Sequence, residues 1–196
     1  EHVSGAHLIV ALNAANVGMT GPGTIDGNGL HFFRDNGRAK LDYGPWRPAQ
    51  MVFFCECRNV RVRDVNLHNS SFWNLLLLGC DDVLVDGVSI ANNRRGRETD
   101  GVDIDCSRNV RVSNCAIDTA DDCITLRGDV ERLSEAAGGK PCENVCIINC
   151  TLRTRCNAIR IGVGDGVIRN AVFSNIVIHD SHVGVALTGN YVPRHS

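Results

Sequence analysis

One short motif recurs five times along the chain, each time in the same phase. Every copy begins with Asn or Asp, alternates apolar and polar residues, and passes through a polar bend into a second apolar run, at 59–67, 82–90, 109–117, 144–152 and 170–178. The copies follow one another at intervals of 23, 27, 35 and 26 residues. Alternation with a period of two predicts β-strands, and a repeat of this length predicts coils that stack on one another.

This repetition predicts an all-β fold, a right-handed single-stranded parallel β-helix, because chirality favours right-handed winding. An antiparallel sandwich is the alternative, but it would show paired hairpin turns rather than one motif in constant phase. Two segments break the period, at about 28–48 and 128–141, and their Gly, Pro and charged residues predict loops that leave the coil. We therefore expect one β-helix domain, in part, over residues 1–196.

The composition limits the classes of partner that this chain is expected to bind. With 20 basic and 22 acidic residues, the chain has no electrostatic case for nucleic acid, and no apolar stretch is long enough to span a membrane. Ten cysteines occur, and Cys115 and Cys150 hold the same repeat position, which favours stacked free thiols; some disulfides are the alternative. The cysteines lack Cys-x-x-Cys spacing, so no metal site is expected. The equivalent Asn114, Asn149 and Asn175 are expected to bond along the coil axis.

Three carboxylates are predicted to converge on one face. Asp100 precedes Asp121 by 21 residues, close to one coil, and Asp122 follows directly. Adjacent coils lie about 4.8 Å apart, and like charges at such distances raise one another's pKa, so that one group stays protonated while another is ionised. Acid/base cleavage of a glycosidic bond needs such a pair. The alternative is that these residues only satisfy turns, as Asp often does.

Five segments, read in order, carry a family resemblance: 21–29, 69–74, 98–104, 121–127 and 141–144. In this order they resemble the polygalacturonase-type enzymes of glycoside hydrolase family 28, over nearly the whole chain. The resemblance implies a pectin-lyase-like β-helix that hydrolyses with inversion, with Asp121 as the general acid and with Asp100 and Asp122 activating water. Family members are longer, so we expect a fragment that lacks an N-terminal portion and the last coils.

The resemblance also suggests which residues bind substrate. Arg127 stands where the family often has Lys, and such a cation can hold the carboxylate of a uronic acid. The family's Gly-His-Gly motif corresponds to 155–157, where the His is absent, and its Arg-x-Lys clamp falls near 184–188, where both cations are absent. Arg155 and Arg160 are the candidates to replace them.

The expected function is hydrolysis of α-linked, galacturonic-acid-containing, pectin-type polysaccharide. Closely spaced carboxylates favour retention by the general rule, so inversion rests on the resemblance. One alternative is a non-hydrolytic carbohydrate-binding β-helix. Another is a calcium-dependent lyase, with the Asp cluster on Ca²⁺ and Arg127 as the base. We expect a monomer without a cofactor that acts in the extracellular or periplasmic space on cell-wall pectin.

Overall fold

The structure is a computed structural model that describes residues 5–134 and 139–191. The strands are β1 (Ile9–Leu12), β2 (Ala15–Thr20), β3 (Thr24–Asp26), β4 (Phe33–Arg34), β5 (Asp42–Tyr43), β6 (Val52–Cys55), β7 (Arg58–Arg63), β8 (Asn66–His68), β9 (Leu75–Leu78), β10 (Asp81–Asp86) and β11 (Ser89–Ala91). They continue with β12 (Val102–Asp105), β13 (Arg108–Ser113), β14 (Ala116–Thr119), β15 (Ile124–Gly128), β16 (Cys142–Ile148), β17 (Thr151–Thr154), β18 (Asn157–Gly164), β19 (Ile168–Ser174), β20 (Val177–Ile178) and β21 (Val183–Tyr191).

Three parallel sheets run along the axis of a β-helix, and each coil contributes one strand to each sheet. The first sheet has the order β1-β6-β9-β12-β15-β18-β21, the second β2-β7-β10-β13-β16-β19, and the third β3-β8-β11-β14-β17-β20. Every pairing within these three sheets is parallel. The predicted right-handed parallel β-helix is therefore confirmed, and the antiparallel sandwich is wrong.

Alternating apolar side chains fill the inside of the coil. In the first sheet, one inward row along the axis consists of Phe54, Leu77, Ile104, Leu126 and Ile161. Each member contacts its equivalents one coil above and below, and burial of such a side chain stabilises the fold by roughly 1.5–3 kcal/mol. The residues between them, Asp103 among these, face the outside of the coil, where the carboxylates lie.

Polar ladders hold the bends in register. Asn114, Asn149 and Asn175 have φ of 56°, 56° and 52°, a left-handed conformation that Asn tolerates well. Asn149 Nδ2 donates to Asn114 Oδ1 at 3.3 Å, and Asn175 Nδ2 donates to Asn149 Oδ1 at 3.2 Å. These axial bonds are the ones expected from the shared repeat position.

The cysteines are packed thiols. All ten are free, and the disulfide alternative is not realised. Cys115 and Cys150 lie in successive coils, and their thiols donate to the carbonyl oxygens of Ser113 at 3.1 Å and Ile148 at 3.3 Å. Elsewhere in the core, burial raises the pKa of Cys80 to about 12. These thiols therefore act as small apolar side chains.

Two segments leave the regular coil. Between β3 and β6 the chain forms a 3₁₀ turn at Gly29–Phe32 and an antiparallel pair of β4 with β5. Between β15 and β16 it forms a 3₁₀ turn at Val130–Arg132, and residues 135–138 of this predicted loop lie outside the described residues. Within the described ranges, no helix is long and apolar enough to cross a membrane.

Candidate active site

The three carboxylates meet where two neighbouring strands begin. Asp100 lies just before β12, Asp121 and Asp122 lie just before β15, and the two strands pair in register. The Gly101 N–H donates to the Asp122 carbonyl oxygen at 2.9 Å. A Cβ on Gly101 would approach the Cys123 carbonyl oxygen to 2.4 Å, so only glycine allows the two turns to come this close.

Asp100, like Asp122, is buried. The residue is only 6% exposed, and its carbonyl oxygen accepts the Asn74 side-chain amide at 2.7 Å. Burial raises the pKa of Asp100 well above its usual range, the charges of Asp103, Asp121 and Asp122 add to the rise, and the charge of Arg127 opposes it. This environment favours the protonated form of Asp100.

Asp121 is held by its backbone and left partly open at its carboxyl group. Its carbonyl oxygen accepts the hydroxyl groups of Thr119, at 2.5 Å, and Thr154. Its carboxyl oxygens accept the backbone N–H groups of Glu98 at 3.2 Å and Asp122 at 3.1 Å. Burial and then the charge of Asp122 raise the pKa of Asp121. A raised pKa suits a group that must carry a proton to an oxygen atom.

Asp122 is more buried than Asp121 and has different hydrogen-bond partners. Its side chain is 2% exposed, and Oδ1 accepts the Asn157 side-chain amide at 2.6 Å and the Asn157 N–H at 3.2 Å. Its Oδ2 pairs with Arg160 Nη1 at 3.2 Å. Every one of these partners donates a hydrogen bond to Asp122, and Arg160 carries a positive charge. The two adjacent carboxyl groups therefore differ in their partners, since Asp121 accepts only backbone N–H groups among the bonds described above.

Cys156 completes the immediate surroundings. One ligand atom each from Cys156, Asp121 and Asp122 lie within 4.8 Å of one another, a spacing in which a metal ion could be held. Burial, followed by the charges of Asp121 and Asp122, raises the pKa of the Cys156 thiol. Both Asp122 oxygens already accept protein donors, which makes this cluster poor in the six to eight oxygen ligands that Ca²⁺ takes.

Arg127 lies in β15, where protein side chains surround it. Its side chain is 7% exposed, with Nη1 at 3.5 Å from Asp103 Oδ1 and Nε at 3.5 Å from Asp105 Oδ2. Its guanidinium carbon stands 4.5 Å from the centre of the Trp73 ring. Arg127 is the cation expected to hold a substrate carboxylate. Its guanidinium group is already surrounded by the side chains of Asp103, Asp105 and Trp73.

The other expected substrate-binding residues lie at different places. Arg160 pairs with Asp122, whereas Arg155 is exposed and donates from Nη1 to the Ala39 carbonyl oxygen at 3.4 Å. Sequence reasoning missed Lys40, whose charge lowers the pKa of Asp121. Lys40 belongs to the loop 28–48, and no local motif indicates where that loop packs.

We expect Asp100→Asn to stabilise the protein. A carboxyl group whose folded-state pKa is raised destabilises the fold as the pH rises from the unfolded pKa, about 3.9, through the folded one. Asn removes this cost, so the melting temperature should rise near pH 7.5, by about 2–4 °C for each kcal/mol gained, and change little near pH 4. Calorimetry at both pH values checks it; a gain that does not grow with pH contradicts the burial argument.

Comparison with known proteins gives consistent matches. The family described as Glycosyl hydrolases family 28 matches residues 2–137. A polygalacturonase of Malus domestica is 24% identical over 94% of this chain and 45% of its own length, and the polygalacturonase QRT2 of Arabidopsis thaliana is 24% identical over 96% and 48%. An exopolygalacturonase structure from Thermotoga maritima superimposes with a TM-score of 0.76 at 22% identity, covering 93% of this chain and 48% of that one. The chain thus spans about half the length of these relatives.

Proposed function

The chain belongs to glycosyl hydrolase family 28, and from this membership we propose that the protein hydrolyses α-linked, galacturonic-acid-containing polysaccharide of the pectin type. The observation that carries the proposal is the contrast between Asp121 and Asp122. One carboxyl group has a raised pKa and is partly open, and its neighbour is held by an amide and a guanidinium group. The activity is that of the whole protein, since the chain corresponds to about half of its relatives.

In this mechanism the protonated Asp121 gives its proton to the glycosidic oxygen as the bond to the anomeric carbon breaks. Asp122 takes a proton from the water whose oxygen forms the new bond to that carbon. Asp100, buried and favouring its protonated form, lies beside them and orients the water by hydrogen bonding. One proton enters the leaving group and one leaves the water, so the two carboxyl groups have exchanged protonation states at the end of the step.

The stereochemical outcome is proposed to be inversion, as in the family. Atoms of Asp121 and Asp122 lie within 4.8 Å of each other, less than the usual separation of about 6.5–9.5 Å in inverting enzymes. Asp100 adds a third carboxyl group, so the attacking water can be bound outside the space between Asp121 and Asp122. The inversion therefore rests on the family and not on this distance.

The full-length protein incubated with homogalacturonan tests the function. We expect reducing ends to appear without the ultraviolet absorbance of an unsaturated product, and proton NMR to show the β-anomer first. Absorbance from an unsaturated product would identify a lyase, and absence of any cleavage, with binding retained, would identify a carbohydrate-binding module. Appearance of the α-anomer first would overturn inversion alone.

Arg160 provides a separate test of the role of Asp122. Arg160→Met removes the cation that pairs with Asp122, so we expect turnover to fall by about 10-fold because the carboxylate loses a charge-assisted hydrogen bond that orients it. Arg160→Lys keeps the charge and serves as the matched control, with turnover close to that of the unaltered protein. Turnover that stays unchanged in Arg160→Met would contradict a role for this ion pair in positioning Asp122.

The remaining proposals concern Arg127, the domain organisation, and the assembly and location of the protein. We propose that Arg127 positions Asp100 through its charge and its contacts with Asp103 and Asp105, instead of binding substrate. Residues 1–196 are proposed as one β-helix domain, with the segments 28–48 and 128–141 as its loops. The relatives named above are polygalacturonases. We propose that this protein is a monomer that acts in the extracellular or periplasmic space on the pectin of cell walls.

A further inference from the structure

The loop 28–48 packs directly beside the carboxylates. Leu41 is buried, its N–H donates to the Arg95 carbonyl oxygen at 2.7 Å, and its own carbonyl oxygen accepts Arg97 Nε at 2.7 Å. Arg95 also forms two side-chain bonds with Asp35, at 2.6 and 2.8 Å. The middle of the loop is therefore fixed to the segment that leads into Asp100.

The base of the loop is fixed in the same direction. The Arg47 side chain is 3% exposed and lies between the rings of Tyr43 and Phe72, with its guanidinium carbon 4.2 and 4.4 Å from their centres. It pairs with Glu98, and the Glu98 N–H donates to the carboxyl group of Asp121. A continuous series of contacts, from Arg47 through Glu98 to Asp121, thus connects the loop to the candidate acid.

Lys40 stands between two anchored residues of this loop. On one side Ala39 accepts a hydrogen bond from Arg155, and on the other Leu41 is buried. Lys40 is partly exposed and Arg155 is exposed. Thr154, the residue before Arg155, donates its hydroxyl group to the Asp121 carbonyl oxygen, so the contact between Arg155 and Ala39 brings this part of the loop next to the candidate acid. The charge of Lys40 lowers the pKa of Asp121.

We propose that Lys40 of the loop and Arg155 of the coil form a binding subsite for the carboxylate of an acidic sugar next to the bond that Asp121 protonates. The inference rests on the proposed function, because it takes the substrate to be a uronate polymer. Ammonium and guanidinium groups bind carboxylates through charge-assisted hydrogen bonds, and both cations are accessible to a ligand that enters from solvent. The subsite is built only when the loop packs against the coil.

Binding of trigalacturonate by the full-length protein tests the subsite without relying on cleavage. We use Asp122→Asn as a background that does not hydrolyse the ligand, and measure the Kd by calorimetry. Adding Lys40→Met, or Arg155→Met, should weaken binding by roughly 10-fold, the loss expected for an exposed charged hydrogen bond. Lys40→Arg should retain binding, and Arg34→Met, which removes an exposed cation elsewhere on the loop, should leave the Kd unchanged.

The methyl ester of the same trisaccharide separates a charge effect from a structural one. The ester carries no carboxylate, so Lys40→Met should leave its Kd unchanged; equal losses for acid and ester, or no loss for the acid, would overturn the subsite. Cleavage by the unaltered protein is scored independently. Cleavage without a Lys40 effect rejects only the subsite, whereas a Lys40 effect without cleavage rejects only the hydrolase.

Discussion

Asp121→Asn should lower turnover by about 10²- to 10⁴-fold, the range that general acid catalysis supplies. The amide has nearly the same shape and can still accept the Glu98 N–H, but it has no acidic proton for the glycosidic oxygen. The fold should remain intact, since the backbone of residue 121 keeps its bonds from Thr119 and Thr154. Initial rates of reducing-end release and a thermal melt measure the two effects separately.

Asp82→Asn is the matched control for this substitution. Asp82 has a φ of 56° at a repeat position that Asn109 and Asn144 occupy in the next two coils, with φ of 55° and 56°. The structure therefore accepts Asn there, and both activity and stability should stay near those of the unaltered protein. If Asp121→Asn kept activity within about twofold, as this control should, the assignment of Asp121 as the acid would be rejected.

Leu126→Ala should destabilise the protein by about 2–5 kcal/mol, because it leaves a cavity at the centre of the coil. Leu126 is 0% exposed and lies between Ile104 and Ile161 of the neighbouring coils. The free energy of unfolding, obtained from urea titration, measures the loss. Val172→Ala is the control, since Val172 is 59% exposed and its truncation should cost less than about 0.5 kcal/mol. Similar losses at the two sites would contradict the position of Leu126 in the core.

The repeat predicts the fold because it shows both which residues point into the coil and where the chain turns. The alternation at 109–117 marks the inward residues, and the Asn at the bend marks the left-handed turn that returns the chain to register. The convergence of Asp100 with Asp121 follows from the same repeat, since residues one coil apart become neighbours. Fold class and carboxylate cluster were therefore accessible from local pattern and spacing.

Other features depend on contacts that no local pattern describes. Arg127 alternates outward from the strand, but its burial depends on Trp73 and on carboxylates of the preceding coil. Lys40 reaches the site only because Leu41 and Arg47, which follow it in the loop, pack against distant parts of the chain. A charged residue in a loop carries no sign of where that loop will pack, so sequence reasoning alone did not find it.

The coil also bears on how such proteins can diverge. The strands of the second sheet keep one register along the axis although the repeats differ by up to 12 residues, from 23 to 35. Insertions and deletions between strands therefore change the rim around the carboxylates without displacing the carboxylates themselves. Loop segments of this coil can therefore change in length while the strands next to Asp100 and Asp121 keep their pairing.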